Sequence, residues 1–269
     1  MTDSTRDPED DIEGGKMPLL DHLVELRTRL IYSAVAFIVC FFIGYALAEP
    51  IFQFLVDPLA HITEGQEGRR MIFTALHEAF FTYIKVGFFF AACLSFPIIS
   101  MQLWLFIAPG LYANEKKAFL PFLLATPVLF TLGAAMVYFI VIPLAWQFFI
   151  SFETPGGDGN LPLVLEPKVD QYLSLVMRLI FAFGVAFELP VLLVLLAKVG
   201  IVSVEGLRAK RKYAIVIAFV AAAILTPPDV ISQVLLAVPI IVLYEISILC
   251  AVFIEKKRDE DAEAVEDDG

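Results

Sequence analysis

The sequence predicts an all-α membrane protein of six transmembrane helices, with both chain ends in the cytosol and short fifth and sixth helices. Three observations carry this. Of 269 residues, 59% are hydrophobic and 18% charged, and the mean hydropathy is +0.80, outside the range of water-soluble domains. The charges gather at the two ends and between apolar runs, most of them long enough for a bilayer core of roughly 30 Å. Lysine and arginine also alternate in abundance from one side of those runs to the other.

Residues 1–16 form an acidic tail with little to bury, expected to be disordered. It lacks the basic start and apolar stretch of a cleavable signal peptide. The membrane domain is expected over 17–254 and opens on Pro18–Leu30. There Leu19, Leu23, Leu26 and Leu30 recur at helical steps, and Pro18 suits a first turn. His22, Glu25 and Arg29 share one flank of that helix and Arg27 lies on the other. The segment reads as an amphipathic surface helix running into a first span near 30–48. Its charged ridge fits a docking site. It equally fits an exposed Glu25–Arg29 pair with Arg27 and Arg29 as membrane anchors.

Further spans are read near 76–106, 118–149, 170–197, 213–226 and 230–254. Residues 49–75, with Pro50, apolar Ile51–Val56 and Asp57-Pro58, are expected to cap the far surface as short interfacial helices. The stretch Thr154-Pro155-Gly156-Gly157 marks a turn between the third and fourth spans. The fifth run ends at Thr226-Pro227-Pro228-Asp229, where a helix cannot continue. It gives only about 21 Å of helix. An equally short return leg would put Glu245 near the cytosolic interface. Residues 255–269 read as a second disordered acidic tail, and the two tails supply most of the net charge of −11.

Orientation follows from the cations. Arg6, Lys16, Arg27 and Arg29, then Lys116 and Lys117, then Lys198, Arg208, Lys210, Arg211 and Lys212, then Lys256, Lys257 and Arg258 fall on one side. Only Arg69, Arg70 and Lys168 fall on the other, so the first side is cytosolic.

Several polar groups sit at membrane depth. Glu188, in Phe187-Glu188-Leu189-Pro190, occupies a position where a carboxylate costs about 2.5–3.5 kcal/mol. It must face a cavity or a partner, or pair with Lys85 or Arg178 inside the bundle. Thr226 and Gln233 are polar where apolar residues would be cheaper. Pro97, Pro121, Pro127, Pro143, Pro190 and Pro239 should bend several spans into a cupped bundle. Glu115 is a second carboxylate on the cytosolic side, or simply the N-terminal acid of the third span. Cys40, Cys93 and Cys250 lie in apolar runs and suggest neither a disulfide nor a metal site. No phosphate-binding glycine loop, His-Glu-x-x-His or Gly-x-Ser-x-Gly occurs, so an enzyme is not expected. A proton-coupled secondary transporter of a small solute, with Glu188 as carrier and Lys85 as its partner, is the alternative. The chain lacks the internal repeat common in that class.

Four stretches together carry a resemblance: Pro18…His22-Leu23-Val24-Glu25-Leu26-Arg27-Thr28-Arg29-Leu30, Trp104-Leu105-Phe106-Ile107-Ala108-Pro109-Gly110-Leu111-Tyr112 with Glu115, Ala182-Phe183-Gly184-Val185-Ala186-Phe187-Glu188-Leu189-Pro190, and Leu225-Thr226-Pro227-Pro228-Asp229-Val230 with Gln233. In this order the chain resembles the TatC family, the polytopic receptor subunit of twin-arginine translocation, from Pro18 to Phe253. The resemblance implies a cupped six-helix fold in the bacterial cytoplasmic membrane. It implies that Glu25 and Glu115 receive the paired arginines of signal peptides on folded cargo. Arg27 and Arg29 would hold those carboxylates, and His22 and Phe106 would complete the face. Glu188 would line an intramembrane cavity, Thr226 and Gln233 would seat TatA- and TatB-type single-span subunits, and Pro58 and Asp229 would shape the outer cap. Further implied partners are other copies of the chain and membrane lipid, with no nucleic acid. The implied drive is the proton-motive force, with no cofactor.

Overall fold

A computed structural model of the chain describes residues 19–63, 70–107, 116–154, 156, 161–198, 200–226 and 230–267. It leaves undescribed the side chains of 19–20, 107, 116–122, 231, 254 and 257–267. The chain begins with α1, Leu19–Ala46, a single helix of 28 residues. The surface segment and first span thus merge, because Leu30 to Ile43 contains no proline or glycine to part them. One residue later comes α2 (Ala48–Ile62), a short helix in the stretch expected to cap the far surface. Next come α3 (Glu78–Ile107) and α4 (Lys116–Met136). A π turn over Val137–Val141 joins α4 to α5 (Ile142–Ile150). The extra residue of that turn lies just ahead of Pro143, which cannot donate in the regular ladder.

The fourth span is two helices, α6 (Val169–Ala186) and α7 (Leu189–Lys198). They part at Phe187-Glu188, because Pro190 has no N–H for the carbonyl four residues earlier. A short α8 (Val204–Ala209) is capped by Ser203, whose hydroxyl accepts from the Gly206 amide at 3.1 Å. The hairpin of α9 (Arg211–Leu225) and α10 (Val230–Asp267) closes the chain.

Among the described residues, five helical stretches are long and apolar enough to cross a membrane. The exception is α9, whose 15 residues extend about 22 Å. Two expectations are corrected here. The sixth helix is not short, since the apolar pattern runs past Glu245 through Ile246, Leu249 and Phe253. Nor do residues 255–267 leave the helix, being rich in Glu, Lys, Arg and Ala, all strong helix formers.

The core is built around α6, whose Leu173, Val176 and Phe183 are almost fully buried with Leu55 of α2, Val137 of the π turn and Leu236 of α10. Glycines let helices approach closely at two crossings. A Cβ on Gly133 would meet the Phe183 carbonyl oxygen at 2.5 Å. One on Gly44 would meet the Gly87 oxygen at 2.9 Å. Apolar side chains such as Leu30, Phe42 and Val216 point outward, as lipid allows.

At the end of the bundle away from the N-terminus, two connections are tied together. Ile72 donates to the Pro167 carbonyl at 3.1 Å and accepts from the Val169 amide at 2.9 Å. The Glu78 side chain, only 6% exposed, accepts from the Thr74 and Ala75 amides at 2.9 and 3.3 Å and faces Lys168 at 3.6 Å. Its other oxygen accepts from the Asp170 amide at 3.3 Å. Asp170 in turn pairs with Lys85, and Arg70 with Glu166 at 3.4 Å.

Candidate docking face

The antiparallel packing of α1 on α3 assembles the face. Gln102 and Phe106 are one helical turn apart near the end of α3. Opposite them, His22, Glu25 and Arg29 share a flank of α1. Arg29 Nη2 donates to Glu25 Oε1 at 3.1 Å while Nη1 donates to Gln102 Oε1 at 3.2 Å. One guanidinium therefore fixes the carboxylate and links the two helices. The His22 ring stacks on Phe106 with centroids 4.3 Å apart and planes at 17°.

Glu25 is 17% exposed, and its Oε2 is buried with no hydrogen-bond partner. An orphaned carboxylate oxygen is costly unless a donor is brought to it. Arg27 is exposed on the other flank and makes no ion pair among the described residues, so Arg29 alone of the two arginines holds Glu25. Gln102, a lone polar residue in the apolar run Met101–Leu105, was not singled out from the sequence although it completes the bridge. The expected role of Glu115 lies outside the described residues, as does that of Asp229.

The remaining predicted residues lie elsewhere. Glu188 occupies the α6/α7 break, half-buried beside the hydroxyl of Thr126, with Oε1 unpartnered. Lys85 is engaged by Asp170, so the Glu188–Lys85 pair that a proton-coupled transporter would use is not formed. Arg178 does not neutralise Glu188 either; it lines a separate groove on α6. Thr226 ends α9, its buried hydroxyl turned back to the Ala222 carbonyl at 2.8 Å. Gln233 Nε2 donates to the Phe219 carbonyl at 3.2 Å, clasping the hairpin. An apolar groove along Val230, Val234, Val238 and Pro239 flanks that clasp. At the base of the hairpin Arg211 pairs with Glu245 at 2.8 Å.

Pro58 sits buried inside α2. It has no N–H for the Phe54 carbonyl, which instead accepts from the Tyr138 hydroxyl at 2.9 Å. The next carbonyl, Leu55, accepts from Tyr172 at 2.9 Å. The three cysteines are unpaired, and no metal-binding cluster occurs among the described residues.

A bundle of helices long and apolar enough to cross a membrane, with apolar side chains on its outer faces, is that of a polytopic membrane protein. Comparison with known proteins narrows the class. A model of the Sec-independent protein translocase protein (TatC) family matches residues 21–239. Among curated relatives, the TatC protein of Magnetococcus marinus is 53% identical over 93% of this chain and 90% of its own length. That of Escherichia coli is 43% identical over 88% of each. A crystal structure of the twin-arginine translocase receptor TatC in the detergent DDM superposes with a TM-score of 0.76 at 42% identity, covering 86% of this chain and 99% of its own. The chain belongs to the TatC family and is a subunit of the Sec-independent translocase of the bacterial inner membrane.

Proposed function

We propose that this subunit is the signal-peptide receptor of its translocase and that Glu25 receives a guanidinium of a paired-arginine motif. The observation that carries the reading is the state of Glu25: one oxygen pinned by Arg29, the other buried without a donor. A planar guanidinium offers forked donors that suit such a carboxylate, whereas an ammonium is a point charge. Glu115 serves the second arginine, and His22 stacked on Phe106 forms a firm wall beside Glu25 on the same flank of α1. The face lies in the cytosol with both chain ends, in keeping with the placement of lysine and arginine.

TatA- and TatB-type single-span subunits pack along the hairpin, where the valine groove of α10 passes Gln233 and Thr226. The Glu188 break accommodates the apolar part of a signal peptide, and further copies of the chain complete the receptor. Folded proteins are moved at the expense of the proton-motive force.

A photo-crosslinking residue in place of Leu26, exposed on α1, tests the reading in membranes. A twin-arginine signal peptide should be captured there and competed away by excess unlabelled peptide. Capture instead at a control position in place of Ile217 on α9, with none at 26, would move the receptor site to the hairpin.

A further inference from the structure

A groove of about 590 Å³ opens between α5, α6 and the end of α9. Its charged lining is Glu166, Lys168, Asp170 and Arg178. Three of these have counter-ions: Glu166 has Arg70, Lys168 has Glu78, and Asp170 has Lys85. Arg178 is exposed and makes no ion pair among the described residues. Across from α6 the lining is apolar, with Phe149 of α5 and Leu225 of α9, and Leu175 lies one turn from Arg178 on α6 itself.

Depth gives this surplus charge a meaning. Together α6 and α7 span Val169 to Lys198, about 45 Å of helix against a hydrocarbon core of roughly 30 Å. Arg178 lies about 14 Å along α6, which puts its Cα some 6 Å inside the hydrocarbon boundary if the helix pair is centred. That depth is within the reach of a snorkelling guanidinium. The short α9 falls about 8 Å short of the same boundary, and Thr226 at its end lines the same groove. The result is a notch in one leaflet, cationic at its base and apolar on one wall.

The geometry points to a phospholipid site: a headgroup phosphate drawn into the notch onto Arg178, with an acyl chain lying against Phe149, Leu175 and Leu225. A guanidinium donates two parallel hydrogen bonds to a phosphate, and an amphipathic ligand satisfies the charged and the apolar lining at once. The site rests only on insertion of the chain in a bilayer, independently of the docking face.

The test is native mass spectrometry of the full chain released from nanodiscs of phosphatidylethanolamine and phosphatidylglycerol. Wild type should retain one phospholipid, and Arg178→Gln should lower that retained fraction about tenfold. Arg178→Lys should fall between them, and Asp229→Asn should match wild type. Equal retention by Arg178→Gln overturns the proposal. A large gain in Asp229→Asn overturns it too, by showing that Asp229 is the counter-ion. On wild type alone, a phosphate-free diacyl glycolipid should fail to displace the retained lipid, and so should millimolar inorganic phosphate. Displacement by the first would show that the headgroup phosphate is not recognised, and by the second that the site takes the free ion.

Discussion

The Tyr138 hydroxyl donates to the Phe54 carbonyl at 2.9 Å, and the two rings stack 4.4 Å apart at 3°. The acceptor is available because Pro58, four residues on, has no N–H to offer it. Tyr138→Phe should therefore lower stability by about 1 kcal/mol, the worth of a hydrogen bond to a part-buried carbonyl. In a Pro58→Ala background the amide is restored, and the same substitution should cost less than half as much. Thermal unfolding of the four proteins in one detergent measures the coupling.

Gly133 packs against the backbone at Phe183, where an added Cβ would come within 2.5 Å of a carbonyl oxygen. Gly133→Ala must push α4 from α6 and should cost about 1–3 kcal/mol. Gly200 has φ +79° and nothing near the Cβ position, so Gly200→Ala should cost only about 1 kcal/mol of backbone strain. A smaller loss at Gly133 than at Gly200 would contradict the close helix crossing.

Glu78 accepts three backbone amides and faces Lys168. A glutamine keeps one acceptor oxygen and loses the charge. Glu78→Gln should raise hydrogen exchange at Thr74, Ala75 and Asp170 by at least about tenfold, while the amides of α1 stay unchanged. The segments 70–77 and 165–170 should loosen together, since Ile72 joins them.

Arg29 bonds Glu25 and Gln102 with different nitrogens. A lysine cannot hold that fork. Arg29→Lys should weaken twin-arginine peptide binding about tenfold, and Gln102→Leu about threefold, by freeing the Glu25 carboxylate to wander. Calorimetric titration with purified protein reads both.

What the residues alone disclosed follows from what each signal depends on. Apolar runs and prolines locate α1, α3 and the α9 stop at Thr226, because bilayer thickness and the missing proline N–H act locally. The break at Phe187-Glu188 was signalled only as a bend at Pro190. The helical course of α10 beyond Glu255 was hidden because acidic composition reads as disorder even where helix propensity is high. At the docking face, the shared flank of His22, Glu25 and Arg29 was legible from helical spacing, whereas Gln102 was not. Its part depends on the register of α1 against α3, which no local pattern encodes.

The most direct test of the central claim is a double-mutant cycle between Glu25 and the arginines of a twin-arginine signal peptide. Affinities would be measured for wild type and Glu25→Gln with twin-arginine, Arg-Lys, Lys-Arg and twin-lysine peptides. The account predicts that Glu25→Gln weakens the twin-arginine peptide about tenfold or more and the twin-lysine peptide hardly at all. Coupling should concentrate on one of the two arginines, leaving the other to Glu115. Equal weakening of all four peptides, or none, would contradict guanidinium recognition by Glu25.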